Sequence, residues 1–173
     1  MEGEFPPPFL LMEFDEIVEK YTGRLFKMVY WLCGDYNESE DIVQEVFSIA
    51  WKNWKSFRGE ASVYTWLYRI ALNRVRRWHK KEKPLPLDDA KDISNNSNPE
   101  KDFGIMEMRR ELINAIGKLP QKLREPFVLK YIEDMDYQSI SKSLRIPLGT
   151  VRSRLARARE RLKDLLKPWM EEP

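Results

Sequence analysis

Two stretches of this 173-residue chain carry side chains suited to nucleic acid. Residues 51 to 68 hold Trp51, Trp54, Phe57, Tyr64, Trp66 and Tyr68, and Arg69, Arg74, Arg76 and Arg77 follow directly. Aromatic faces accept unstacked bases while neighbouring cations track the phosphates, which makes a single strand a chemically suitable ligand. Trp51 and Trp54 fit equally well as core aromatics of a small helical bundle. The second stretch, Thr150 to Lys163, sets five Arg against one Lys. The planar fork of Arg favours bidentate recognition of phosphate or guanine. A third pattern has the opposite sign: Asp41, Gln44, Glu45 and Ser48 recur at helical spacing as an acidic polar ridge. DNA would repel it, so as a functional surface it meets protein; on spacing alone it is a solvated face.

Other chemistry is poorly supplied. The chain has a single His, His79, and a single Cys, Cys33, which excludes an internal disulfide and a multi-Cys zinc site and leaves no acid/base pair or metal cluster for an enzyme. His79 sits amid Lys and Arg and reads as part of their basic surface. No cofactor, metal or catalytic residue is expected.

The formal charge of +2 is a cancellation. Arg69 to Lys83 contains seven basic residues and one acid, a net of +6, and Arg145 to Lys163 repeats that balance. Asp35 to Glu45 holds five acids and no base, and Pro84 to Gly104 holds five acids against Lys91 and Lys101. Two basic blocks separated by an acidic one suggest two surfaces for a polyanion, unless the runs only solvate exposed helix faces.

The elements that must position these residues are helices. Residues 84 to 104 combine three Pro with Ser, Asn and Asp without apolar periodicity, and read as a flexible acidic linker between two lobes. In the first lobe, Phe14 to Leu32 recur at helical spacing up to Gly34; Asn37 and Glu40 resemble a capping box for a helix from about 38 to 54; a loop containing Arg58 and Gly59 precedes a basic helix from 64 to 81. The second lobe reads as helices over 105 to 119, 121 to 133, 137 to 144 and 149 to 166, the last two joined by the short turn of a helix-turn-helix. On the last helix, Val151, Leu155, Ala158, Leu162 and Leu165 make one stripe, so Thr150, Arg152, Ser153, Ala156 and Arg157 are placed for base or phosphate contact. No window alternates strictly, so the fold is expected to be all-α, two small helical domains at 13–83 and 105–173 after an extension over 1–12. Met12 is an alternative start, and the acidic, Pro-broken opening is no secretory signal, which predicts a cytoplasmic chain without membrane insertion.

The runs SEDIVQEVFSIAWKNWKSFRGEASVYTWLYRIALNRVRR and LPQKLREPFVLKYIEDMDYQSISKSLRIPLGTVRSRLARARERL resemble the two domains of the extracytoplasmic-function sigma factors of bacterial RNA polymerase. The resemblance covers nearly all of residues 13 to 168. It implies a non-catalytic factor, monomeric when free, that binds core RNA polymerase and recognises promoter DNA and helps melt it. Asp41, Gln44, Glu45 and Ser48 would meet the polymerase clamp. Phe57, Arg58 and Gly59, with Trp66, Arg69, Asn73, Arg76 and Arg77, would hold the melted non-template strand of the minus-ten element, where base capture costs a few kcal/mol of unstacking. The second lobe would dock on the flap and read the duplex minus-thirty-five element through Thr150, Arg152, Ser153, Ala156 and Arg157. An anti-sigma factor is a further implied partner. Ser139 and Ser141 depart from the family's usual Glu and Ala, and Arg145 stands where a turn Gly is frequent; a left-handed Arg145 would be strained by about 1 kcal/mol. The alternative is a homodimeric helix-turn-helix operator-binding regulator, which leaves the aromatic loop and the acidic ridge without a role.

Overall fold

In a computed structural model, residues 8–57, 61–81 and 99–170 are described, with the side chains of 14–57, 61–80 and 107–169. All regular structure among them is helical, in the order α1 Pro8–Cys33, α2 Tyr36–Asn53, α3 Val63–Lys81, α4 Pro99–Gly117, α5 Gln121–Tyr131, α6 Tyr137–Leu144 and α7 Leu148–Met170, with a 3-10 turn at Trp54–Ser56. The all-α expectation holds. Arg58, Gly59 and linker residues 84–98 lie outside the described residues.

Three boundaries differ from the sequence reading. Helix α1 begins at Pro8, inside the stretch read as an extension. Helix α4 begins at Pro99, inside the stretch read as linker: proline's fixed φ suits a first helical position, and a polar turn without apolar periodicity can still be helical. Helix α2 is capped by Asp35, whose carboxylate accepts from the Glu38 N–H at 2.8 Å, so the Asn37 and Glu40 capping box does not form. Gly34 does end α1, at φ 77°, donating its N–H to the Tyr30 carbonyl.

Helices α1, α2 and α3 pack as one bundle through Leu25, Val29, Leu32, Val46, Leu67 and Ala71, all fully buried. Helices α4 to α7 form the second bundle around Ile116, Leu129, Ile140, Val151 and Leu155. Burying each such Leu or Ile contributes about 1.5–3 kcal/mol relative to leaving it exposed. The two bundles also touch: α1 packs on α4 and α5, and one hydrophobic cluster runs through both. No helix of the described residues is long and apolar enough to cross a membrane.

Candidate nucleic-acid interface

The α7 stripe is as expected. Val151, Leu155, Ala158 and Leu162 are buried and Leu165 is half-buried. Arg152, Ser153, Ala156 and Arg157 are consequently exposed, with Thr150 half-buried at the first turn. Helix α6 begins on Asp136, whose carboxylate accepts from the Ser139 N–H at 2.9 Å and the Ser139 hydroxyl at 2.6 Å, which holds the Asp136 carboxyl below its ordinary value. It ends at Arg145, which adopts the left-handed conformation at φ 55°, ψ 47° and donates its N–H to the Ser141 carbonyl. Ser141 closes the turn a second time, its hydroxyl donating to the Ile146 carbonyl at 2.6 Å. Of the two serines that depart from the family's usual residues, Ser139 thus completes the cap at the start of α6 and Ser141 closes the turn that sets α6 against α7. Arg145 bears the predicted strain of about 1 kcal/mol.

The first lobe is arranged differently. Phe57 is no free platform: its ring stacks on Trp54 at 5.4 Å with 10° between planes, and Trp66 tilts against it at 5.1 Å. Trp54 and Trp51 both meet Phe14 edge-on, at 5.4 Å and 5.1 Å, and Trp51 remains 41% exposed rather than being core. Trp66, Arg69, Asn73 and Arg76 do share a face of α3, but while Trp66 packs on Trp54 and Phe57, the part of it bearing Arg69, Asn73 and Arg76 looks at the second lobe. A crevice of about 170 Å³ lies between them, lined by Arg69, Asn73 and Arg76 on one side and Ser143, Leu144 and Arg145 on the other. Arg77 and Asn73 are exposed.

Arg76 is committed to another partner. Its Nε and Nη2 donate to the two carboxylate oxygens of Glu125 at 2.7 Å and 2.6 Å, and those bonds drive the guanidinium further toward its charged form. Glu125 is 5% exposed and also accepts from Gln121 Nε2 at 2.8 Å. A second junction centres on Glu133, 6% exposed, which accepts from Arg24 Nε at 2.9 Å and from the Tyr64 hydroxyl at 2.5 Å. The Arg24 guanidinium lies 3.9 Å over the Tyr64 ring. Burial, then the Glu133 bond, pushes the Tyr64 phenol up. The Tyr68 hydroxyl meets Ser143, and burial raises that phenol to about 12.

His79 is a correction to the sequence reading. It is half-buried at a third junction instead of lying on a basic surface. Arg124 Nη1 donates to the Leu32 carbonyl and to His79 Nε2, each at 2.9 Å, and Arg124 Nη2 donates to the Gly117 and Leu119 carbonyls. Only a neutral imidazole can accept there, and burial followed by the Arg124 charge lowers the His79 pKa.

The ridge residues Asp41, Gln44, Glu45 and Ser48 are all exposed on α2. Glu45 pairs with Arg74 at 3.2 Å across a groove of about 570 Å³ between α2 and α3. Among the described residues no group of His, Cys, Asp and Glu is arranged to hold a metal ion.

Arg124, Glu125 and Glu133 were missed by sequence reasoning. The available signal was Arg124-Glu125 set between Leu123, Pro126, Val128 and Leu129, apolar on every side, so that the charged pair had no solvated face to occupy.

Two sequence profiles match the chain: Sigma-70 region 2 over residues 17–84 and Sigma-70 region 4 over residues 109–162. An ECF RNA polymerase sigma-E factor of Haemophilus influenzae is 34% identical over 169 residues, covering 91% of this chain and 89% of that protein. The ECF RNA polymerase sigma factor SigW of Bacillus subtilis is 34% identical over 166 residues, 89% of each. In fold, the chain is similar to CnrH, solved with the cytosolic domain of CnrY, with a TM-score of 0.69 and 23% identity over 90% of this chain and 88% of that one. It is also similar to the sigma factor RpoE, solved with the anti-sigma factor NepR from Bartonella quintana, with a TM-score of 0.70 and 21% identity over 90% of this chain and 97% of that one. Both sigma regions occur in order on one chain, over helices whose basic faces have just been described. The chain belongs to the extracytoplasmic-function sigma factors of RNA polymerase.

Proposed function

We propose that this chain directs transcription initiation by binding core RNA polymerase and selecting promoter DNA, and that it contributes no catalytic group of its own. The observation that carries the reading is the outward face of α7: Arg152, Ser153, Ala156 and Arg157 stand exposed beside a buried stripe, within the part of the chain that matches Sigma-70 region 4. Such a face enters a major groove with its first turns while flanking Arg reach phosphates. We assign the duplex minus-thirty-five element to it, with Thr150 at its rim. The melted minus-ten strand is assigned to the α3 side, to Trp66, Arg69, Asn73, Arg76 and Arg77 with Phe57, Arg58 and Gly59. The exposed acids of α2, Asp41 and Glu45 with Gln44 and Ser48, are assigned to the polymerase clamp. The protein works in the cytoplasm, and an anti-sigma factor is its expected restraint, as in the RpoE complex with NepR.

Run-off transcription from genomic promoter fragments tests this reading. Core polymerase plus the chain should give discrete transcripts that core alone does not. Tight binding of a palindrome by an isolated homodimer, with no transcript, would establish the operator-binding alternative instead. Within the site, Phe57→Ala should reduce permanganate reactivity of the minus-ten strand while polymerase binding persists, and an unchanged footprint would remove Phe57 from the role.

A further inference from the structure

The face assigned to the melted strand is occupied by the chain itself. We propose that the second lobe is a built-in occupant of the minus-ten face, held there by a polar latch in which Glu125 takes the place of a DNA phosphate on Arg76, so that the free protein masks its own strand-binding surface. The inference rests on the reading of α3 given above.

Three observations support it. The first is chemical: Arg76 grips Glu125 through two parallel N–H bonds, at 2.7 Å and 2.6 Å, the geometry with which Arg also grips a phosphate. The Nε and Nη2 edge of one guanidinium cannot hold both anions at once, so a phosphate approaching by that edge competes with the carboxylate for the same atoms.

The second is positional. Tyr64, Tyr68 and Arg76 fall on α3 at spacings of four and eight, a single ridge, and each is met by a polar group of the other lobe: Glu133, Ser143 and Glu125. Arg69 and Asn73 lie between those contacts and line the narrow crevice facing Ser143, Leu144 and Arg145, with Asn73 still reaching solvent at its rim. A nucleic-acid strand cannot run along this ridge while the second lobe is in place.

The third concerns energy. Beside the apolar seam where α1 meets α4 and α5, the contact over α3 is rich in groups that water solvates well: two buried carboxylates, three arginines, two phenols and a histidine. A buried ion pair contributes little over the separated, hydrated ions, whereas an apolar joint of equal size would be held shut by the full hydrophobic term. Breaking one partner alone leaves a buried charge, so the latch is specific although it is not strong. Such an interface is suited to opening when a competitor covers the exposed groups. Core polymerase holding the two lobes apart, with promoter DNA replacing Glu125 on Arg76, meets that requirement.

The test uses the full chain and a short fluorescein-labelled single-stranded oligonucleotide of mixed sequence. Glu125→Gln with Glu133→Gln should increase affinity for that probe by about tenfold and enlarge the radius of gyration in small-angle scattering, with helical content unchanged. Equal affinity and equal compactness in a folded variant would overturn the proposal. Should that variant not fold, Arg76→Glu and the exchanged pair Arg76→Glu with Glu125→Arg decide by scattering: the single change should open the chain and the exchange should close it again. Compactness indifferent to both would refute the latch. A wild-type chain that supports run-off transcription but shows no response to these changes defeats the latch alone. A chain that opens as described but gives no transcript with core polymerase defeats the sigma reading alone.

Discussion

Helices α3 and α7 each carry most of one basic block, yet α7 presents Arg152 and Arg157 to water whereas α3 turns Arg76 to protein. On α7, Arg152 and Arg157 stand exposed to solvent, ready for a duplex. On α3, Arg76 is engaged by Glu125, and Tyr64 and Tyr68 are buried against Glu133 and Ser143. The difference matches the state of the DNA each face is assigned to. A duplex element exists before polymerase acts, so its reader can stand open. A melted strand exists only afterwards, and an open aromatic and basic face would meanwhile collect any single strand in the cell. Covering one face and leaving the other bare suits a factor that must avoid stray single strands until polymerase is present.

The largest effect expected on this contrast comes from Arg124. Replacing it with Ala leaves the carbonyls of Leu32, Gly117 and Leu119 without their donor in a buried site, which should cost about 3–5 kcal/mol in chemical denaturation. A loss below about 1 kcal/mol would mean that the junction is not closed in solution.

Next in size, Arg152→Ala or Arg157→Ala should weaken promoter binding by the holoenzyme by about 1–3 kcal/mol without altering thermal stability, since neither side chain supports the fold. The same measurement sharpens the comparison: an α7 change should leave single-strand affinity untouched, whereas a latch change should leave minus-thirty-five affinity untouched.

A smaller effect is expected from acid. The His79 pKa is lowered in the closed chain, so its contribution to closure is complete above its ordinary value near 6.5 and is lost as pH falls through the lowered value. Arg124, which faces the imidazole from α5, opposes its protonation, Glu125 favours it weakly, and the Leu32 carbonyl from α1 lies at 3.1 Å. Single-strand affinity should therefore rise on acidification below about pH 6.5, and His79→Asn should flatten that rise. A profile identical in wild type and His79→Asn would exclude the histidine from the contact.

The smallest expected change is at the turn. Arg145→Gly should stabilise the chain by up to about 1 kcal/mol in thermal denaturation, because the left-handed conformation costs Gly nothing.

These contrasts also show what was legible in the sequence. The α7 face could be read because its stripe, Val151 to Leu162, is local: periodicity alone orients Arg152 and Arg157. The boundaries of α6 were legible for the same reason, whereas Arg145 was marked only through the resemblance, as a residue standing where a turn Gly is frequent, and its left-handed conformation is seen in the fold. The α3 face was only half legible. Spacing placed Arg69, Asn73 and Arg76 together, but Arg76 is met by Glu125 and the neighbouring Tyr68 by Ser143, tens of residues away, and no local pattern pairs α3 with α5 or α6. His79 was misread on the same account, because its surroundings in space, Leu32 and Arg124, are not its surroundings in sequence. Phe57 looked free beside Gly59, although Trp54 and Trp66 enclose it.

The central claim, that the free chain is closed over its strand-binding face, is tested most directly by a distance between the lobes. Spin labels at Lys27→Cys on α1 and Lys142→Cys on α6, both exposed positions outside the assigned sites, with Cys33→Ala to remove the native thiol, report it by pulsed electron resonance. The account predicts one narrow distance in the free protein, replaced by a longer distance when core polymerase is added and already lengthened in Glu125→Gln with Glu133→Gln. A broad distribution in the free wild-type chain, or a distance that core polymerase leaves unchanged, would contradict it.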